Sequence, residues 1–297
     1  MTLAVAGASP VEKLITETRP GRSVAERFVA GDTLDDAVAV AVDLNGQGFS
    51  VSLDLLGEEV HDRETALEAT AEYLDSLDRI AEVGLDANIS IKPTQLGLAI
   101  DEGLAREAIE RLGQAAAAAG TTVTIDMEDS RYTEATIHLF EFGQPARGNL
   151  GIAIQSYLRR TPEDLKRIMP LGGHVRLCKG AYVESPEVAL TSKDDVDSAF
   201  SSQLKTLMGS EVTVPAIATH DGALIDEARR LASGREGPFE FQMLSGVRPE
   251  LQRELVAEGF PLRVYLPFGS RWYPYLTRRL AERPANALFF ARALFGS

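Results

Sequence analysis

The amino-acid sequence predicts a single (β/α)8 barrel of the TIM type, with extra helices before the first strand and a final helix over the barrel mouth. Three observations carry this. Short β-branched or apolar runs recur eight times, each followed by a segment of helical period. Glycines close the helical segments. The chain has 297 residues, and an α/β barrel takes up about 250 as one domain. Alternation at this spacing implies right-handed crossovers and parallel strands, and eight such units favour closure over an open sheet.

The elements follow in order. Residues 23–30 and 33–44 read as helices packed under or beside the barrel, and Ser23 with Glu26 makes a capping box. The strands are 49–55 (FSVSLDL), 87–92 (ANISIK), 122–127 (TVTIDM), 151–155 (GIAIQ), 174–179 (HVRLCK), 214–219 (VPAIAT), 239–243 (FEFQM) and 262–266 (LRVYL). Gly84, Gly120, Gly143, Gly234 and Gly259 stand where a left-handed residue ends a helix. Thr161 followed by Pro162, Glu163 and Asp164 marks a helix start, with the threonine as N-cap and the proline at the first helical position. The alanine run 115–119 is a strong helix former. The expected organisation is one catalytic domain over 1–297, with N-terminal helices in 1–46 and the barrel in 47–297. A doubly wound open sheet would carry G-x-G-x-x-G after an early strand, and the sequence has none.

Hydrophobic residues make up 44% of the chain and charged residues 25%, enough for a large core in an ordinary globular protein. The single Cys178 excludes an intramolecular disulfide and fits a reducing compartment. Residues 1–8 are apolar but lack the basic start of a signal peptide. No window approaches the roughly 20 apolar residues of a spanning helix. The net charge of -14 argues against a nucleic-acid partner, which needs clustered Lys and Arg. It also disfavours purely electrostatic attachment to an anionic membrane.

Barrel enzymes do their chemistry at the C-terminal ends of the strands. The sequence places Asp54, Lys92, Asp126, Gln155, Arg176 with Lys179, Thr219-His220-Asp221, Gln242 and Tyr265 there. Each alone has an ordinary structural use: Lys92 as a loop lysine, Asp126 as an N-cap, Gln155 as a partner for backbone, His220 as a satisfied histidine. Their convergence on one mouth is what points to a site. Arg176 shares a strand face with Cys178, where a charge is costly unless it is paired or meets a polar ligand. In residues 272–283 (WYPYLTRRLAER), Tyr275, Arg278, Arg279 and Glu282 fall at i, i+3, i+4 and i+7, on one helical face. That face is either a solvated surface with an Arg278–Glu282 pair or, starting at the barrel mouth, a receptor for a carboxylate.

Lys92, Arg176, Lys179, Arg278 and Arg279 thus gather around one opening of an acidic protein. The ligands expected there are anionic, and five cations leave room for a cofactor with phosphates besides a small carboxylate. H-E-x-x-H, Cys–His metal spacings, G-x-S-x-G and Walker sequences are all missing, so metal and nucleophilic-serine chemistry have little support. Read residue by residue, the sequence describes a barrel enzyme for a small carboxylate with an anionic cofactor. A Schiff-base aldolase using Lys92 or Lys179 and a non-catalytic barrel that senses an amino acid stay open beside it.

Longer stretches carry a resemblance. SIKPTQLG (90–97), IDMEDS (125–130), AIQSYLRRTPEDL (153–165), VRLCKGAY (175–182), ATHD (218–221), FQMLSGVRPE (241–250) and RVYLPFGSRWYPYLTRRLAERPAN (263–286) resemble proline dehydrogenase. They stand in that family's order across seven of the eight strands and the terminal helix, and SLDLLGEEV (52–60) matches more loosely. The likeness is to the short, single-activity bacterial form, without an aldehyde dehydrogenase domain or a basic DNA-binding arm.

The resemblance implies a distorted barrel with non-covalent FAD that oxidises L-proline to Δ1-pyrroline-5-carboxylate. Hydride would pass from C5 to flavin N5 in the first step of degradation to glutamate. A membrane quinone would take the electrons, and a separate pyrroline-5-carboxylate dehydrogenase is the implied partner for the product. It places the protein in the cytoplasm, peripheral at the inner face of the membrane. By the same resemblance, Lys92, Arg278 and Arg279 bind the proline carboxylate, Tyr265 and Tyr275 wall the ring, and Leu244 covers it. Asp126 pairs with Lys92, Arg176 sits beside flavin N5, and Glu282 locks the arginines of the last helix. Met127, Gln155, Lys179, Gly180, Ala181, Thr219 and His220 hold FAD, with Gln242 and Glu282 counted on the cofactor side. Ser245 is a departure, standing where relatives often have tyrosine. In residues 285–295, Leu288, Phe289, Arg292 and Phe295 form an apolar stripe with a basic flank, which either packs on the barrel or rests on a membrane.

Overall fold

Eight parallel strands close into a barrel in sequence order, with β8 (Leu262–Phe268) pairing back onto β1 (Ser50–Leu55). Between them stand β2 (Ala87–Ile91), β3 (Val123–Ile125), β4 (Leu150–Gln155), β5 (Gly173–Cys178), β6 (Thr213–Ala218) and β7 (Glu240–Leu244). The structure is a computed structural model that describes residues 25–57 and 59–282, with the backbone alone for residues 278–282. The barrel matches the expected fold class.

The described helices are α1 (Leu34–Gly46), α2 (Arg63–Val83), α3 (Glu102–Ala118), α4 (Thr133–Arg147), α5 (Thr161–Ile168), α6 (Lys193–Met208), α7 (Gly222–Ala232), α8 (Pro249–Ala257) and α9 (Trp272–Glu282). Helix α1 starts with a full capping box between Thr33 and Asp36. It buries Ala37 and Ala41 against the flank of β1 and β8. A regular barrel would carry its eighth helix there. Here α9 runs over the mouth instead, where Trp272, Tyr275 and Leu276 cluster with Ala25, Phe28, Leu56 and Val247. This exchange is the barrel's distortion. Ser23, and with it the earlier capping box, lies outside the described residues. From Ala25 a single turn forms, closed by the Val29 N–H on the Ala25 carbonyl at 2.9 Å.

Three helix-end expectations are corrected. Gly143 lies inside α4, which ends at left-handed Gly148 (φ 73°). Its missing side chain serves close packing, since a Cβ there would meet Leu150 Cδ1 at 2.6 Å. Gly234 is not left-handed, because its N–H bonds to the Leu231 carbonyl and extends the right-handed turn. Thr161 is the first residue of α5, not its cap, and its hydroxyl donates to the Gln155 carbonyl at 2.6 Å, tying the helix to the end of β4.

Each strand alternates, as period-2 geometry requires. One face carries aliphatic side chains such as Val51, Leu53, Ile89, Ile91, Ile152 and Leu266, which pack under the helices. The other face turns to the barrel axis and is polar. Its lower layer holds Asn88, Thr124, His174, Glu240 and Arg263, and its upper layer Ser52, Ser90, Asp126, Arg176 and Gln242. Gly151 makes room for this filling, because a Cβ there would strike the His174 ring at 2.1 Å. Burial drives that imidazole down to about 4, with Glu240 opposing, so it stays neutral.

Candidate active site

At the C-terminal ends of the strands the barrel opens into a cavity of about 640 Å³. Its wall includes Lys92, Asp126, Met127, Arg176, Lys179, Gly180, Ala181, Thr219, His220, Gln242, Leu244, Tyr265 and Tyr275. Residues chosen from separate strand ends thus meet at one surface. The position of Arg176 follows from β5: its neighbours Val175 and Leu177 are fully buried toward the helices, which turns the guanidinium inward.

Arg176 is 5% exposed, so its charge must be compensated locally. Nη1 donates to Asp126 and, at 2.9 Å, to Ser90 Oγ, while Nε donates to Gln242 Oε1. Asp126 also accepts from Ser90 Oγ at 2.6 Å and from Tyr265 OH at 2.7 Å. The guanidinium carbon lies 5.1 Å from the centre of the Tyr265 ring. Burial, with Asp126 and Asp54 nearby, raises the Tyr265 phenol far above its ordinary value, so it remains a hydrogen-bond donor.

Lys92 forms the expected ion pair with Asp126, at 3.8 Å, and hydrogen-bonds more closely to Asp54. Arg176, Ser90 and Tyr265 occupy both Asp126 oxygens, which leaves Asp54 the shorter contact. Burial opposes the charge on Lys92, yet Asp54 and Asp126 outweigh it and hold the ammonium above its usual value. Burial pushes Asp54 up against the pull of Lys92, and its Oδ2 makes no hydrogen bond among the described residues. Lys179 likewise bonds Asp197 and, at 2.9 Å, Asp221. Lys92, Arg176 and Lys179 are therefore ion-paired rather than a bare positive field.

Gln155 does not reach the cavity wall. Its Nε2 donates to the Glu128 carbonyl and its Oε1 accepts from the Ala181 N–H, both at 2.9 Å, so it ties together two loops that do. His220 Nε2 accepts from the Leu244 N–H at 3.0 Å, fixing the turn after β7. Ser245 donates its N–H to the Tyr265 carbonyl and is not on the wall. Gly180 has φ 141°, and a Cβ there would meet Tyr157 Cδ1 at 2.3 Å, so its backbone stacks on that ring. The side chains of Arg278, Arg279 and Glu282 lie outside the described residues, as do 285–295. The backbone of α9 does carry the first three on one helix from the mouth.

Sequence reasoning left Glu59, Glu128 and Arg271 out of the wall they help to form. Glu128 is buried at 7% exposure and accepts from Thr94 N–H and Oγ at 2.9 and 2.6 Å. The acidic string from Asp126 to Asp129 was the available signal for it. Among the described residues no cluster of His, Cys, Asp and Glu forms a metal-holding group, and no helix is long and apolar enough to cross a membrane.

Comparisons with known proteins bear on this geometry. The family model described as proline dehydrogenase matches residues 37–292. The chain is similar to "Proline dehydrogenase 1" of Bacillus subtilis subsp. natto, 40% identical over 274 residues that cover 91% of this chain and 90% of the relative. It is 35% identical to "Proline dehydrogenase" of Deinococcus radiodurans, covering 98% of this chain and 96% of that one. The crystal structure of proline utilization A (PutA) from Bdellovibrio bacteriovorus inactivated by N-propargylglycine superposes with a TM-score of 0.83 at 23% identity. The match covers 92% of this chain and 34% of that one, a likeness of fold.

Proposed function

This chain belongs to the proline dehydrogenase family of oxidoreductases, and on that premise we propose that it oxidises L-proline to Δ1-pyrroline-5-carboxylate with FAD and passes the electrons to a quinone. The observation that carries the reading is the meeting of Lys92, Asp126, Arg176, Tyr265 and Tyr275 on one cavity wall. The donor set fits such a group. A cavity of about 640 Å³ exceeds the need of a five-membered-ring amino acid and lies within the roughly 300–1,000 Å³ of cofactor pockets. Met127, Ala153, Ala181 and Ala218 offer apolar wall to a ring system, and Arg176 and Lys179 offer cations to anionic groups.

FAD, when bound, supplies the hydride acceptor. Arg176 stands where its guanidinium would favour negative charge building on the reduced cofactor. Lys92 with Arg278 and Arg279 holds the substrate carboxylate, Tyr265 and Tyr275 wall the ring, and Leu244 covers it, which orients C5 for transfer. Asp126 keeps Arg176 and the Tyr265 hydroxyl in register. Lys179, Gly180, Ala181, Thr219, His220, Met127 and Gln242 face the cofactor, Gln155 supports two of its loops from beneath, and Glu282 locks the arginines. A Schiff-base aldolase is disfavoured because two carboxylates hold Lys92 protonated. Quinone contact is assigned to residues 285–295, as reversible association with a membrane, and a separate dehydrogenase consumes the product.

The test is steady-state turnover with an artificial electron acceptor. Wild type is expected to oxidise L-proline and to be poor with prolinol, which lacks the carboxylate. Arg278→Met and Arg279→Met are expected to raise KM about thirtyfold with FAD still bound, since a charge-assisted contact is worth on the order of 2 kcal/mol. Near-normal KM in both variants would remove these arginines from the pocket. Absence of flavin and of turnover in wild type would sink the reading.

A further inference from the structure

Glu240 stands at the foot of β7, two residues below Gln242 and on the same face of the strand. Its Oε1 accepts from Gln242 Nε2 at 2.6 Å and from Arg263 Nε at 2.9 Å. Gln242 Oε1 in turn accepts from Arg176 Nε. A continuous chain therefore runs along the barrel axis from the lower layer to the mouth.

The ends of this chain fix its polarity. Arg263 and Arg176 can only donate, so an acceptor must receive Arg263 at the bottom and an oxygen must face Arg176 at the top. Gln242 by itself could present either end of its amide. Glu240 removes that choice, because a carboxylate draws the NH2 group downward and leaves the oxygen for Arg176. Burial pushes the Glu240 carboxyl up, but the charge and hydrogen bonds of Arg263 outweigh this and hold it below its ordinary value.

The donors of Arg176 show what this achieves. Nε is spent on Gln242, Nη1 on Ser90 and Asp126, and Nη2 reaches Ser52 Oγ at 3.5 Å. Among the described residues a second Nη2 hydrogen has no acceptor, on a residue that lines the cavity. If the Gln242 amide turned over, its NH2 would oppose the Arg176 Nε–H and the guanidinium would have to rotate.

We propose that Glu240 is a positioning residue for the reaction: by orienting the Gln242 amide it sets the pose of Arg176, and through Arg176 the reduction potential of the bound flavin and the rate of hydride transfer. The proposal rests on the reading of Arg176 given above.

The test uses FAD-loaded enzyme. The double variant Glu240→Met with Arg263→Met removes both partners together, so it strands no buried charge and leaves the net charge of the barrel floor unchanged. The expected result is a tenfold shift of the flavin equilibrium toward the oxidised form, about 30 mV for a two-electron couple. With it kcat falls about tenfold while KM for proline stays within twofold. Glu240→Asp, which keeps the carboxylate, should recover most of both. Thr124→Val, which touches His174 in the same layer, should leave the potential unchanged. Wild-type potential and kcat in the double variant overturn the proposal, as does an equal shift in Thr124→Val. Should the double variant not fold, the smaller pair Glu240→Val with Arg263→Leu, which likewise removes the acceptor of the Gln242 NH2 without stranding a charge, must lower the potential in the same sense, and no change there overturns the proposal too. A wild type that holds no FAD overturns the reading of the site itself. An active wild type beside an unaltered variant overturns this proposal alone.

Discussion

Two ion-pair networks sit on the same barrel and obey different physics. The mouth network joins Lys92 to Asp54 and Arg176 to Asp126, with side chains between 1% and 13% exposed. The flank network joins Arg160 and Arg167 of the α5 region to Glu134 and Glu141 of α4 and to Asp164, and most of its side chains are 31–47% exposed. On the flank, water already solvates every charge but the buried Asp164, so an exposed pair there contributes about 0–1 kcal/mol. In the mouth each charge has been taken out of water, and its partner is what makes it tolerable. The mouth is thus costly to build for stability alone. Its arrangement makes sense as a device that fixes charges in front of a ligand.

The pH behaviour of the two regions differs in sign. Hydrogen bonds from Arg160 and Arg167, against a smaller burial effect, draw Glu134 down from its ordinary value to about 2. A depressed carboxyl contributes stability above its unfolded value and loses it as pH falls toward 2. Asp54 is raised by burial, so its contribution runs the other way and weakens the fold as pH rises through its window. Glu134 thus adds to stability at neutral pH, while Asp54 is held against it.

The sharpest way to break this comparison is Asp126→Ala. It leaves the Arg176 charge buried without its counter-ion, a change that costs about 3–5 kcal/mol, read as a lower denaturation midpoint. Proline-dependent flavin reduction should be lost with it. A fully stable, active variant would make the mouth network no different from the flank. Glu134→Gln is the opposite case. It should cost no more than about 1 kcal/mol at neutral pH and leave kcat and KM unchanged, with the stability difference from wild type shrinking as pH falls from 5 to about 2. A loss well beyond that, measured by urea unfolding, would mean that the flank carries more of the fold than its exposure allows.

Much of this architecture is legible in the sequence, and the failures share a cause. All eight strands are readable because each is a short apolar run set between helical segments, and the strand ends place Arg176 and Asp126 at the barrel mouth. What local pattern could not supply was pairing across the barrel. The Lys92–Asp126 pair is legible and present at 3.8 Å, whereas the shorter contact of Lys92 with Asp54 of β1 is not legible. Glu240 and Arg263 drew no attention, since each sits beside apolar residues and acquires meaning through a neighbour from another strand. Gly143 misled for a related reason: its role is contact with Leu150 on β4, not a turn in its own helix. The α9 arginines stand out through resemblance and helical spacing alone, and their side chains lie outside the described residues.

The most direct measurement is an anaerobic titration of the purified, FAD-loaded protein with L-proline, following the visible absorption of the flavin. Stoichiometric bleaching with L-proline in wild type and in Glu134→Gln, and none in Asp126→Ala protein that still holds FAD, is the predicted result. A flavin that stays oxidised in wild type, or one that bleaches equally in Asp126→Ala, would contradict the assignment of the barrel mouth as the place where proline is oxidised.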